Sequence, residues 1–299
     1  MATHHSPSTT PGLWLGILAA LAAMTLYAAN FVASRYSIQA GLSAYDLNAL
    51  RYSTAGLLLL PLLIWKYGIR SLGGIGWRKG LILAWLAGAP YMMLVFGGLH
   101  FSPAAHGSVL NPGFVPIAAA VGMWWVTGVR IPRLKQVALI AIIIGLVLVS
   151  SFSLATHTDV LFGDLLFLLS GLSWGVFAVL LRHWQLNPWR VAVVVSVLSM
   201  IYLPFYLLLA EQHITTTPIT HVLAQIVFQG LILSILALFL FSFAVKTLGP
   251  HHASVYSPLV PVLATLSGIP LLHEIPSALQ WSGILLVVLG MYFAARFSR

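Results

Sequence analysis

The stretch SPAAHGSVLNPGFVP, residues 102 to 116, puts a His, an Asn and two internal Pro residues at the start of an apolar segment. A proline inside a helix leaves the carbonyl four residues earlier without its donor, so Pro112 and Pro116 free the carbonyls of Ser108 and Pro112. In hydrocarbon such a carbonyl needs a donor from protein, water or a ligand. The segment is therefore predicted to line a wet cavity, and a kink satisfied by neighbouring protein groups is the alternative.

A second stretch, YSPLVP at residues 256 to 261, has the same pattern, and Pro258 and Pro261 there free the carbonyls of Ser254 and Ser257. Each stretch follows a Ser-Val pair. Interrupted segments at corresponding positions in two halves of a transporter indicate its binding site. The residues that we predict to act as hinges or gates are Pro112, Pro116, Pro258 and Pro261.

Polar and aromatic side chains within apolar segments are the candidates for substrate contact. Tyr27 and Asn30 are three residues apart and share a helical face. His106 offers either a proton site or a hydrogen-bonded packing residue, and Asn111 is near it in sequence. Deeply placed aromatic rings are suited to stacking on an apolar substrate, although helix packing uses them equally. The predicted substrate-binding residues are Tyr27, Asn30, Trp85, Tyr91, His106, Asn111, Trp174, Tyr256 and Ser257.

Composition places these residues in a membrane. The 299 residues are 60% hydrophobic and 6% charged, and mean hydropathy is +0.99. A soluble domain of this composition would expose an apolar surface that water does not tolerate. Because cysteine is absent, disulfides and thiolate chemistry are excluded. The +9 charge is divided among short groups between apolar runs, so no nucleic-acid partner is expected.

Crossing the hydrocarbon layer takes about 20 apolar residues. The sequence contains ten such segments, which predicts an all-α polytopic membrane protein. The predicted spans are 12–34, 44–65, 79–98, 104–127, 134–150, 160–182, 191–211, 221–245, 252–272 and 278–296.

Charge distribution predicts the orientation. With the N terminus in the cytoplasm, twelve of the fourteen Lys and Arg residues fall on the cytoplasmic side, as the positive-inside rule requires. Both termini are therefore expected in the cytoplasm. All five acidic residues fall at the opposite ends of the spans, so we expect no buried carboxylate. Facilitated passage of a zwitterion or neutral metabolite is the simplest mechanism on that basis.

Similar patterns divide the chain into two copies of one unit. We predict a disordered cytoplasmic tail at residues 1–11, a first five-helix repeat at 12–150 and a second at 160–296. Five crossings are an odd number, so the second repeat is inverted relative to the first. Related halves that rock against each other would expose a central site to each side in turn.

Several segments resemble the EamA repeats of the drug/metabolite transporter superfamily: LYAANFVASR at 26–35, LNALR at 47–51, the repeated Ser-Val-x-x-Pro, and HEIPSALQWSGILLVVLG at 273–290. Size and aromatic content are similar to the YddG-type exporters of aromatic amino acids. The resemblance, together with the deep Trp and Tyr residues, implies an exporter of amino acids, aromatic ones foremost. The brevity of the chain and its lack of long tails favour a bacterial inner membrane. The resemblance also places an Arg at position 51, which we expect to reach outward or to pair with Asp46. Glu274 has no counterpart in the first half.

Other function classes are less compatible with the sequence. We find no HExxH, no paired Asp in adjacent spans and no GxSG with a partner His, so no enzyme is expected. No cofactor or metal is expected either. A channel, or an exporter of other small metabolites or drugs, is the alternative to an amino-acid carrier. The expected partners are a small-molecule substrate and membrane lipid, and the expected state is a monomer.

Overall fold

The computed structural model describes residues 10–156 and 158–297, and every regular element in that part of the chain is helical. It contains ten helices that are long and apolar enough to span a membrane. The predicted all-α fold with ten spans is therefore confirmed. Residues 1–9 of the predicted disordered tail lie outside the described residues.

The first five spans run from Thr10 to Thr156, and the third consists of two helices. Their bounds are α1 Thr10–Gln39, α2 Ala44–Pro61 with a π-helical extension Leu62–Tyr67, α3 Trp77–Ala87, α4 Ala89–Phe101, α5 Ala104–Thr127 and α6 Arg133–Thr156. A single 3-10 turn, Ile69–Ser71, follows the second span.

The last five spans begin at Thr158, and three of them are interrupted. Their bounds are α7 Thr158–His183, α8 Pro188–Leu198 with a 3-10 turn Ser199–Ile201 and α9 Tyr202–Leu209, α10 Ile219–Gln225 with a π-helical segment Ile226–Ala237 and α11 Leu238–Leu248, α12 Pro250–Ser254 with α13 Leu259–Leu272, and α14 Ala278–Arg296.

Local sequence signals account for several helix ends. Ser43 caps α2 through its hydroxyl, which accepts from the Asp46 backbone at 3.1 Å, while the Asp46 carboxylate accepts from the Ser43 backbone at 2.8 Å. Ser277 and Gln280 form the same reciprocal cap on α14. Such capping boxes satisfy backbone donors that the first turn leaves free.

The two ends of the bundle differ in charge. Because the number of spans is even, α1 begins and α14 ends on the same side. We call this side the basic end and the other the acidic end. The basic end carries Lys66, Arg70, Arg78, Lys79, Arg130, Arg133, Lys135, Arg182, Arg190, Lys246 and Arg296, and the acidic end carries Arg35, Asp46, Asp159, Asp164, Glu211 and Glu274.

Helix packing follows a two-fold pattern that relates each span to the one five places later. The fourth span packs on the sixth and the ninth on the first; the third packs on the sixth and the eighth on the first. The second span packs on the eighth and the seventh on the third, and the fifth packs on the tenth. If five is added to each span number, counting on from the tenth span to the first, every one of these pairs becomes another of them, and the pair of the fifth and tenth spans becomes itself. The two five-helix halves therefore meet as related, inverted units.

Two glycines bring the fifth and tenth spans together on this axis. A Cβ built on Gly145 would lie 2.7 Å from the Gly283 carbonyl oxygen, and a Cβ built on Gly283 would lie 2.7 Å from the Gly145 carbonyl oxygen. Small residues allow such close backbone approach between membrane helices. This contact joins the two halves of the molecule.

Candidate functional site

The third span is interrupted halfway, between α3 and α4. Pro90 follows the break at Gly88 and removes the donor for the Leu86 carbonyl. The Ser173 hydroxyl of α7 donates to that carbonyl at 2.8 Å. The eighth span, which is the related span of the other half, is π-helical at Ile226–Ala237. Irregular helix of this kind is concentrated at functional positions. The Gly-Ala-Pro sequence at residues 88–90, inside a long apolar run, indicates this helix break, and our prediction did not use it.

Side chains of the neighbouring spans hold the interruption in place. The Asn48 amide of α2 donates to the Ala89 carbonyl at 3.1 Å, and the Ala89 backbone donates to the Ser199 hydroxyl at 3.1 Å. The Tyr52 hydroxyl donates to the Ala87 carbonyl at 3.4 Å. Backbone groups that a helix break frees in a membrane are thus satisfied by protein groups from both halves.

Three predicted site residues meet next to this break. The Asn111 side chain donates to the Tyr91 hydroxyl at 3.4 Å and to the Ser170 hydroxyl. The Tyr91 and Trp174 rings have centroids 5.1 Å apart, and the Trp174 and Phe177 centroids are 5.2 Å apart. We call these five residues the aromatic–amide cluster. Two come from the first half of the chain and three from the second, so the cluster lies across the interface of the halves.

A chain of polar side chains crosses the same interface near the centre of the bundle. Arg51 donates to the Gln229 carbonyl oxygen at 3.0 Å, Gln229 donates to the Ser34 hydroxyl at 2.9 Å, and Ser34 donates to the Asn30 side chain at 3.3 Å. The predicted contact residues include Asn30 but not Arg51, Gln229 or Ser34. Gln229 and Arg51 were recognisable as polar residues inside apolar spans, where they are rare and usually face the interior.

The expected pairing of Arg51 with Asp46 is wrong. The Asp46 carboxylate is fully buried at the start of α2. It accepts a hydrogen bond from the Tyr206 hydroxyl at 2.6 Å, in addition to the bond from the Ser43 hydroxyl. The His213 backbone also donates to it. Arg51 donates to Gln229 of the eighth span instead, and its guanidinium carbon is 6.0 Å from the centroid of the Tyr52 ring.

His106 lies in a second polar group, toward the acidic end. Its Nδ1 is 2.8 Å from Asp164 Oδ1, which also accepts from the Ser102 hydroxyl at 2.6 Å. Its Nε2 is 2.7 Å from the amide nitrogen of Gln280, whose oxygen accepts from the Ser277 backbone. An amide nitrogen cannot accept, so His106 Nε2 must be the acceptor and Nδ1 carries the proton. This arrangement joins α5 to α7 and α14, across the two halves.

The expectation of no buried carboxylate is wrong. Asp164 lies at the acidic end by depth, yet its side chain is only 3% exposed because it points between helices. Its Oδ2 has no hydrogen-bond partner among the described residues. Facilitated passage was preferred from the sequence because no buried carboxylate was expected. Since Asp164 is a buried carboxylate, that reason no longer applies.

An ion pair also ties the halves together at the acidic end. Arg35 Nε donates to Glu274 Oε1 at 3.0 Å, and the Ala104 backbone donates to Glu274 Oε2 at 2.8 Å. Arg35 donates further to the carbonyl of Leu99 at the end of α4. Every residue of α5 from Ala104 to Asn111 is buried, whereas its last residues are exposed. These bonds hold the two halves together at the acidic end.

Four of the predicted contact residues lie outside these groups. Trp85 is 70% exposed on the face of α3 opposite the buried Ala84 and Leu83, so it does not meet the other aromatic residues. Tyr27 contacts the Phe241 ring at a centroid distance of 6.3 Å. Tyr256 packs near the basic end against α1 and α11, with Ser257 beside it.

The four prolines divide between an unbroken and a broken span. Pro112 and Pro116 lie within α5, which continues through both. Pro258 lies just before α13 and Pro261 within its first turn, after a break in which backbone bonds join residues three apart. The prediction that Pro258 and Pro261 leave two carbonyls unsatisfied is wrong, because both accept from the backbone three residues later, at 3.1 Å. These bonds are Ser257 to Ser254 and Val260 to Ser257.

Comparisons with known proteins agree with this architecture. An uncharacterized transporter of Archaeoglobus fulgidus is 25% identical over 276 residues, which cover 90% of this chain and 93% of that protein. A crystal structure of another protein has a TM-score of 0.61 at 17% identity and covers 93% of this chain and 96% of that one, which shows a common fold alone. The sequence model of the EamA-like transporter family matches residues 14–151 and 161–296. The chain therefore belongs to the EamA-like family and is a membrane transporter of that type.

Proposed function

We propose that this protein exports amino acids, aromatic and other apolar ones foremost, across a bacterial cytoplasmic membrane, as the YddG-type exporters that it resembles do. The observation that carries the proposal is the aromatic–amide cluster. Its rings and amide lie beside the interruption of the third span at Gly88, between the two halves. Transporter sites are built at such positions.

The cluster has the chemistry that an aromatic or apolar amino acid requires. The Trp174 ring is 38% exposed and touches Tyr91 and Phe177, so it offers a face for stacking. The Asn111 amide and the Tyr91 hydroxyl are hydrogen-bonding groups for the polar part of the substrate. Because the residues come from both halves, relative movement of the halves changes the contact of Tyr91 with Trp174 and that of Asn111 with Ser170.

Alternating access requires the two halves to separate at each end in turn. At the basic end, Arg190 of the second half donates to the Gly73 carbonyl at 2.9 Å. Ion-paired or charged bonds join the halves at the acidic end, through Arg35 with Glu274 and through His106 with Asp164. Export requires these bonds to separate while the basic end closes. With the basic end in the cytoplasm, as positive-inside charge favours, both termini are cytoplasmic and substrate enters from the cytoplasm. Pro112, Pro116, Pro258 and Pro261 are the proposed hinges.

Counterflow in proteoliposomes tests the proposal. Vesicles preloaded with unlabelled amino acid should take up the labelled one, and aromatic amino acids should exchange fastest. Replacing Trp174, Tyr91 or Asn30 by Ala should reduce exchange about tenfold or more, because each removes a contact worth roughly 1–2 kcal/mol. The Trp85→Ala variant is the matched control, since that ring is on the surface.

The same assay distinguishes the alternatives. Stimulation by substrate on the far side is a property of a carrier, whereas uptake that neither saturates nor responds to preloading would identify a channel. Exchange of other metabolites but no amino acid would overturn the substrate. Normal transport by all three alanine variants would mean that the site is elsewhere, and release of a chemically altered product would identify an enzyme.

A further inference from the structure

Arg51 is a cation without an anion. It lies seven residues into α2, about 10 Å along the helix, and it is charged at any pH of interest. The sequence has five acidic residues, and all are in the described part of the chain. Asp46, Asp164 and Glu274 accept hydrogen bonds from other groups. Asp159 and Glu211 are exposed. None of the five lies within 4.0 Å of the Arg51 guanidinium.

The hydrogen bonds of Arg51 are also incomplete. One terminal nitrogen donates to Gln229, whose amide is oriented by its own bond to Ser34. The Nε atom is buried and has no partner among the described residues. A guanidinium presents a planar fork of donors that matches the two oxygens of a carboxylate. A charge with incomplete hydrogen bonds inside a membrane has a high free energy unless a partner binds to it.

The surroundings of Arg51 suit an anionic group attached to an aromatic one. Arg51 lies on α2, which packs against α4, the helix that carries Tyr91. Tyr91 in turn contacts the Trp174 ring at 5.1 Å between centroids. A small molecule that places a carboxylate on Arg51 therefore extends past Tyr91 toward the aromatic–amide cluster.

We propose that Arg51 binds the carboxylate of the transported molecule, through Nε and a terminal nitrogen. This inference rests on the proposed function and adds a chemical requirement to it: a substrate must combine a free carboxylate with an apolar or aromatic group, whether or not it has an amino group. Arg51 was expected to have a structural role, and the missing counter-ion is the observation that assigns it a binding role.

Three probes that differ at the carboxylate test the inference: phenylalanine, phenylalaninamide and 3-phenylpropionate. Dissociation constants for the purified protein in detergent can be read from intrinsic fluorescence, since the chain has 10 Trp residues. The wild type should bind the two carboxylates about 10- to 100-fold more tightly than the amide, as charged hydrogen bonds predict. In Arg51→Gln this preference should disappear, and in Arg51→Lys, which keeps the charge but not the fork, a part of it should remain.

Controls separate binding from folding and from the proposed function. Arg70→Gln removes an exposed charge at the basic end and should leave the preference unchanged. Thermal unfolding checks that each variant is folded. If Arg51→Gln does not fold, Arg51→Lys is used to test the inference. Equal affinity of the wild type for acid and amide, or a full preference retained in either folded Arg51 variant, would overturn the role of Arg51 while leaving amino-acid transport intact. Failure of the wild type to bind any of the three probes would overturn the proposed function and the inference with it.

Discussion

Substitution of Gly283 by Ala should destabilise the contact between the fifth and tenth spans. The added Cβ would lie 2.7 Å from the Gly145 carbonyl oxygen and 2.9 Å from a Val149 methyl carbon, where ordinary contact begins near 3.4 Å. Backbone cannot rotate away as a side chain does, so the helices must separate by up to about 0.7 Å. A gap of that size forfeits a quarter to a half of each dispersion contact along the interface. We expect a cost of about 1–3 kcal/mol, typical of overpacking.

Gly268→Ala is the matched control. Gly268 is also helical, and no heavy atom lies within 4 Å of a Cβ added there. Alanine has the higher helix propensity by about 0.5–1 kcal/mol, so this variant should be as stable as the wild type or slightly more stable. The difference between the two variants isolates the steric term, because the chemical change is identical.

Thermal unfolding of the purified variants in one detergent measures both effects. The double variant Gly145→Ala with Gly283→Ala sharpens the test, because one widened gap accommodates both methyl groups. Its loss of stability should therefore be smaller than the sum of the two single losses. If Gly283→Ala is as stable as Gly268→Ala, the helices are not in backbone contact. If the two single losses add fully, the glycines do not meet across one gap.

Three further substitutions test other parts of the structure. Ser173→Ala leaves the Leu86 carbonyl without its donor and should cost about 1–3 kcal/mol, measured by thermal unfolding; an unchanged melting temperature would mean that another group satisfies it. Glu274→Gln leaves one acceptor oxygen where two are needed, so either Arg35 or the first turn of α5 loses a hydrogen bond. Thiol labelling of a cysteine introduced at the acidic end should therefore be faster than in the same cysteine variant with Glu274. Equal labelling rates would mean that these bonds do not hold the acidic end together. Trp85→Leu should retain wild-type counterflow, and a large loss would mean that the exposed ring contacts substrate.

The number, positions and inverted arrangement of the spans could be predicted from the sequence. Transfer of about 20 apolar side chains into lipid decides where a span lies, and helical backbone bonds are closed within the span itself. Five spans per repeat then require inversion, whatever the packing. Several site residues could be named for a similar reason, since a polar group such as Asn30 or Asn111 inside an apolar run must find a partner in the protein interior.

Sequence position specifies how deep a residue lies along its helix, but not the direction in which it points. Asp164 was correctly assigned to the acidic end, yet only the packing of α7 on α5 turns it toward His106 and buries it. Trp85 has a suitable depth, but its helix directs it to the surface. Arg51 meets Gln229, 178 residues away, because the second and eighth spans pack together. Depth is determined by local transfer into lipid, whereas direction depends on contacts between distant helices, and only the tertiary structure decides those.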